Sequence, residues 1–240
     1  MNDWKEAYRL AAFELKASMK SFLLILAFYT AMSLTVMMSF DIYLKGDFRY
    51  FDLLYLLIFF LFPAWMKNKE FQMQKLSGDL WTVPSVVMLQ QLPISKEAII
   101  KSRFIIHAVC SFPLQLVLLI AMPIMSEEFR NYMTPVTYPV FVLIWLSLAI
   151  AIGFIMAASE AGGNFKKKAI VMSFIYVLGG TAAVFFLVAV IANDGFILLT
   201  MQLAGDWPFL SGIIAIVLGI AGWKYWQWDM KKMMKKTDYL

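Results

Sequence analysis

Side chains able to do covalent or metal chemistry are scarce in this 240-residue chain. There is one cysteine, Cys110, and one histidine, His107. No internal disulfide can form, and no Cys/His metal cluster can be built. Both residues lie in one apolar run. There Cys110 is expected to pack as a small hydrophobe, and His107 to sit as a polar residue near a membrane surface rather than to relay protons. The sequence contains no Gly-x-x-x-x-Gly-Lys-[Ser/Thr] phosphate loop, so it is not expected to bind ATP in that manner. No cofactor and no metal is expected on the chain itself. In the polar stretch 67–103, Leu89, Leu92, Pro93 and Ile94 set apolar side chains around a proline break, and Ser95 and Lys96 follow.

The composition says what must position these residues. Hydrophobic residues make up 62% and charged residues 15%, and the mean hydropathy is +0.73. Soluble domains run at roughly 45–50% apolar and about 25% charged. A water-soluble fold, a disordered chain, collagen and a coiled coil are all excluded, and the sequence reads as an integral membrane protein.

A bilayer-crossing helix needs about 20 mostly apolar residues. Six segments qualify, at 21–40, 50–66, 104–125, 136–158, 169–191 and 209–228, the second being short and containing Pro63. The fold class expected is therefore all-α, with six transmembrane helices. Lys and Arg then fix orientation, because they concentrate on the cytoplasmic side. With six spans, 18 of the 21 fall on one face, and only Lys45, Arg49 and Arg130 on the other. Both termini are expected to be cytoplasmic, in a multi-pass protein of a cell membrane such as the bacterial cytoplasmic membrane. The net charge of +5 is thus an orientation signature, and nucleic acid is not an expected partner. No cleavable signal is expected, since a charged segment precedes a first run long enough to span.

Residues 2–20 are expected to form an amphipathic interface helix on the bilayer. Trp4, Tyr8, Ala11, Leu15, Met19 and Phe22 make one stripe, with Lys5, Arg9, Lys16 and Lys20 beside it. Asp3 is the expected N-cap, with Glu6 three residues on. At the other end, Trp223, Tyr225, Trp226 and Trp228, followed by four lysines, are expected to anchor the last helix at the interface. Ala149, Gly153, Ala157 and Ala161, and likewise Ser211, Ala215, Gly219 and Gly222, mark close-packing faces. These faces suit either neighbouring helices of this chain or a second protomer. Residues 192–208 are expected to be an outer re-entrant or interfacial segment.

In the 67–103 loop, Gly78–Asp79 is a break. Residues 80–91 are expected to be helical, with Pro84 in the first turn. Leu92–Pro93–Ile94 ends that helix, and Ser95 caps a new one running from Lys96 into the third span. The stretch from Leu89 through Leu92–Pro93–Ile94–Ser95–Lys96 to Ile99, Lys101 and Arg103 resembles the segment after the second span in permeases of type 2 ABC exporters. Those permeases also have an interface helix before six spans, cytoplasmic termini, a coupling helix in this loop and re-entrant helices between the last two spans. Where they often carry Gly-Thr early in the loop, this chain has Ser77–Gly78–Asp79.

The resemblance implies a permease subunit whose loop docks on a separate ATPase, itself present in two copies and binding ATP and Mg. It places Leu89, Leu92, Pro93, Ile94, Ser95 and Lys96 at or beside that contact. It also implies a second permease, identical or sister, and a hydrophobic or amphipathic substrate such as a peptide, an antimicrobial or a lipid-linked molecule. A secondary carrier, a channel or a membrane scaffold is the alternative. An intramembrane enzyme is a further one. Glu127–Glu128–Phe129–Arg130 resembles the Glu-Glu-x-x-x-Arg motif of intramembrane proteases, but the spacing differs and the further His and Asn motifs are missing.

Overall fold

The computed structural model describes residues 2–46, 50–62, 67–164, 168, 171–172, 175, 179–180 and 195–237. Most of the span expected at 169–191 lies outside the described residues, as do 63–66 and 192–194. Helices dominate. They are α1 (Asp3–Ala17), α2 (Met19–Met37), α3 (Phe40–Leu44), α4 (Phe51–Leu61), α5 (Pro84–Gln90), α6 (Lys96–Met125), α7 (Glu127–Tyr132), α8 (Thr137–Leu148), α9 (Ile155–Ser159), α10 (Phe196–Asp206) and α11 (Pro208–Lys236). A π-helical segment, Ala149–Gly153, joins α8 to α9. Four helical stretches are long and apolar enough to cross a membrane: Met19–Met37, Lys96–Met125, Thr137–Ser159 and Pro208–Lys236. They correspond to four of the expected spans. Helix α4, a shorter apolar helix, lies within the expected 50–66 segment and includes Asp52.

Helix α6 is the spine. Its 30 residues extend about 45 Å at 1.5 Å per residue. It touches α1, α2, α4, α5, α7, α8, α9 and α11. Ser95 starts it as the sequence predicts, its Oγ accepting from the Ala98 amide at 3.1 Å. The helix continues through Pro113 and Pro123.

The small-residue faces pack within this chain. On the last helix, Gly219 lies against Ser147, and a Cβ on Gly222 would come to 2.5 Å from the Ala151 Cα. On its other side the fourth span turns Gly153 toward His107 and Phe60, and Phe154, Ala157, Ala158 and Ala161 toward Ile99, Ile100 and Phe104 of α6. The fourth span is thus sandwiched between α6 and α11. Small residues allow this because they let backbones approach where lipid supplies no hydrophobic drive.

The 67–103 loop departs from expectation in one respect. Residues 80–82 are a strand, not the start of a helix. Gln74–Ser77 (β1) and Leu80–Thr82 (β2) form a hairpin turned by Gly78–Asp79, and Gly163–Asn164 (β3) adds to β2. The cause is local chemistry plus distant pairing. Leu-Trp-Thr-Val suits a pleated surface, Val83 precedes Pro84 and is held extended at φ −85, ψ 123, and β3 supplies the partner. Gly162 has φ +68, and a Cβ there would collide with the Trp81 carbonyl. Helix α5 then spans Pro84–Gln90, with proline at its start.

Helix α1 has three sides. Ala7, Ala11 and Glu14 are buried against α6. Trp4 and Tyr8 face outward at 47% and 68% exposure, and Lys5, Arg9 and Lys16 lie on the outer surface beyond them. The N-cap is Asn2, not Asp3, and its side chain accepts from the Trp4 amide at 3.2 Å. Asp3 is free for other work, described below.

Substituting Gly222 by alanine should force α11 off the fourth span, since the collision is with backbone. Overpacking of this kind costs about 1–3 kcal/mol. The thermal midpoint of purified protein should fall for Gly222→Ala. It should hold for Gly205→Ala, where nothing lies within 4 Å of the added atom.

Candidate functional site: a surface knob on a buried charge cluster

The hairpin, α5 and the Leu92–Pro93–Ile94 break form a knob at the end of α6. The apolar candidates divide by direction. Leu89 and Ile94 turn inward, packing with Val83 and Val86 against Ile99, Ile100, Phe154, Ala157, Met230 and Met234. Leu92 is 53% exposed and Met88 67%, and Pro93 is exposed beside them. The outward surface is therefore Met88, Leu92 and Pro93, while Ile94 holds the knob to its base. Met88 has no signal in the sequence beyond being one helical turn from Leu92.

Ser95 and Lys96 are both exposed. Besides capping α6, Ser95 donates through Oγ to Asp3 Oδ1 at 2.9 Å. Lys101 reaches the same carboxylate at 3.5 Å and lies 5.0 Å over the Trp4 ring. The released Asp3 thus pins the start of α1 to the start of α6.

Beneath the knob lies what the sequence reading missed. Arg103, fully buried on α6, forks onto Glu14 of α1, at 2.9 Å from Nη1 to Oε2 and 2.5 Å from Nη2 to Oε1. Its Nη1 stands 3.6 Å from Glu160 Oε2, and Lys67 pairs with Glu160 Oε1. Arg103 Nε donates to Ser102 Oγ at 3.3 Å, and Nη1 approaches Ser85 Oγ of α5 at 3.5 Å. Thr82 of β2 donates to the Glu160 carbonyl at 3.1 Å. Two cations and two carboxylates balance, as a buried cluster requires. Four separated segments meet in it: α1, the stretch after α4, the head of α6 and the end of α9. One sequence clue existed. Ala7, Ala11 and Glu14 recur at helical spacing on a face of small residues, where a carboxylate is out of place unless paired.

The end of α11 also belongs to this base. Met230 and Met234 are buried under the knob, and Lys231 pairs with Glu97. Trp226 is half-buried, and its indole Nε1 donates to the Ala151 carbonyl of the π segment at 2.7 Å. Trp223 and Trp228 are exposed at 37% and 55% and keep the interface role open to them.

At the opposite end of the bundle a third buried carboxylate is fully engaged. Asp52 accepts from the Phe196 and Ile197 amides at 2.8 and 3.0 Å, and from the Tyr43 hydroxyl at 2.8 Å. It caps α10, an 11-residue helix too short to cross a bilayer core of about 30 Å. Gly195 leaves the space, since a Cβ there would strike Tyr43 and Asp52. Burial and the Asp52 charge push the Tyr43 phenol above its usual range. Among the described residues no three His, Cys, Asp or Glu side chains gather as metal ligands would.

Removing one partner from a buried ion pair costs roughly 3–5 kcal/mol, because the other charge is stranded. Arg103→Met should therefore sharply lower the yield of folded protein in membranes. The Glu14→Met, Arg103→Met double variant should recover part of that loss. Arg103→Lys should not restore the wild-type level, since lysine cannot present the two-pronged contact. Fluorescence-detected size exclusion at matched expression reads all three.

No protein-family model, no characterised protein and no solved structure matches the chain.

Proposed function

We propose that this chain is the membrane-spanning permease subunit of an ATP-driven exporter of the ABC-2 type. It has six spans and both termini in the cytoplasm, and a separate ATPase docks on the 67–103 loop. A second permease, identical or sister, completes the path for a hydrophobic or amphipathic substrate such as a peptide, an antimicrobial or a lipid-linked molecule. ATP and Mg belong to the partner.

The observation that carries this reading is how the knob is mounted. Met88, Leu92 and Pro93 offer a compact apolar surface, and the Leu92–Pro93–Ile94 break leads into a helix that continues without interruption to Met125. Ion pairs and packed methionines tie the same base to α1, to the end of the fourth span and to the end of α11. A push on the knob is therefore transmitted as a rigid-body movement of spans rather than lost in a flexible loop. Such a lever suits energy delivered from outside the chain.

The buried carboxylates favour an ion-coupled secondary carrier as the second reading. Glu14, Glu160 and Asp52, however, are each engaged by cations or by backbone amides, which supports structural roles for them.

Met88→Asp and Leu92→Asp should still insert and fold, since both side chains are exposed, yet lose the co-purifying ATPase. Introducing a charge into a desolvated contact of this kind weakens it by roughly 2–5 kcal/mol. Lys235→Ala with Lys236→Ala should retain the ATPase. Retention by both aspartate variants at matched membrane expression, with loss in the tail variant, would refute the docking site. For orientation, a cysteine at Asn131 in a Cys110→Ala background should react with an impermeant thiol reagent in intact cells. One at Ser95 should react only after lysis. Labelling of Ser95 in intact cells would invert the topology.

A further inference from the structure

The last turns of α11 divide by side. Met230 and Met234 are buried beneath the knob. The opposite side carries Lys231, Lys232, Lys235 and Lys236, all exposed, with Trp228 one turn before them. At 3.6 residues per turn these five side chains fall within an arc of about 140°. Together they line a surface cavity of about 420 Å³. Lys232 Nζ stands 4.9 Å over the Trp228 ring, a position in which the ring's face attracts a cation. Tyr225 lies beside the same ring at 6.0 Å between centroids.

The helix end that carries the lysines is fixed. Thr237 donates to the Met233 carbonyl twice, from its amide at 3.0 Å and from Oγ1 at 3.1 Å. Lys231 pairs with Glu97 at the head of α6. The cluster is nevertheless costly to assemble. Lys231 and Lys235, and likewise Lys232 and Lys236, are like charges one turn apart, which repel. The carbonyl end of the helix offsets part of that repulsion, and Glu97 meets one of the four charges. An anion seated among Lys232, Lys235 and Lys236 offsets more, and the cavity is the place for it.

Depth selects the source of the anion. From Pro208 to Trp228 the helix rises about 30 Å, the thickness of a bilayer's hydrocarbon core. Trp228 thus falls at the boundary where tryptophan is enriched. The lysines follow just beyond it, and helical side chains lean back toward the N-terminus, here toward the bilayer. We infer that Trp228, Lys232, Lys235 and Lys236 bind the phosphate of an anionic phospholipid headgroup. Basic clusters directly beyond a span attract such lipids, and lysine meets phosphate as a point charge. The bound headgroup braces the turns whose reverse side packs under the knob. The inference stands apart from the exporter reading, since it needs neither the knob's outward surface nor an ATPase.

Native mass spectrometry of the full chain, released from neutral detergent, tests it. At equal lipid, retained phosphatidylglycerol should exceed phosphatidylcholine severalfold, because choline answers its own phosphate. Lys232→Gln, Lys235→Gln, Lys236→Gln should abolish that preference. Should the triple variant fail to fold, Lys235→Gln with Lys236→Gln should at least halve it. Removing three exposed charges from α1 instead, with Lys5→Gln, Arg9→Gln, Lys16→Gln, should leave most of it. No preference in the wild type, or its survival in the α11 variants, would overturn the inference. Equal losses from the α1 and α11 triple variants would overturn it too, as the mark of diffuse attraction. Inorganic phosphate in large excess should not strip the lipid, and stripping would assign the cluster to a soluble anion instead. Asp238→Asn should leave the preference as it is. A preference seen only in that variant would give the cluster to the chain's own carboxylate and overturn the lipid site.

Discussion

A guanidinium cannot be buried in an apolar bundle unless its charge is met on the spot. Arg103 imposes that condition here, and much of the architecture satisfies it. Glu14 must arrive on α1, which requires small residues at Ala7 and Ala11 so that α1 can lie close on α6. Glu160 must arrive at the end of the fourth span, which requires Ala157, Ala158 and Ala161 to let that span approach. Glu160 then brings Lys67, so the segment following α4 is drawn in as well. The close-packing faces and the ion pairs are two sides of one arrangement.

This arrangement explains why the knob is well defined despite its modest size. A three-stranded sheet of such short strands could not stand alone in water. Here Thr82 bonds to the Glu160 carbonyl, Ser85 meets Arg103, and Val83, Val86, Leu89 and Ile94 complete an apolar cluster with α6 and α11. The loop is ordered by its base. Its outward residues, Met88, Leu92 and Pro93, add nothing evident to that order.

The parts legible in the sequence are those set by local patterns. Apolar run length gave the helices, and Ser95 marked the head of α6 because a side-chain cap is a local event. Gly78–Asp79 and Pro84 were readable as a turn and a helix start for the same reason. The parts that escaped depend on partners far along the chain. The strand Leu80–Thr82 is fixed partly by Gly163–Asn164. Glu14, Lys67, Arg103 and Glu160 lie far apart along the chain, and only the fold reveals that they converge. The bond from the Trp226 indole to the Ala151 carbonyl likewise joins residues far apart in the chain.

The π segment Ala149–Gly153 has a consequence for phase. Such a segment places one more residue in the chain without adding a turn, so all that follows is rotated by about a third of a turn relative to a regular helix. Upstream of it, Ser147 faces α11. Downstream, Ala157 and Ala161 face α6, and Glu160 stands before Arg103. Without that single-residue slip the same sequence would aim Glu160 elsewhere. The segment works as an angular adjuster between two contacts of differing period. The Ala151 carbonyl within it accepts from the Trp226 indole, so the last helix registers the setting.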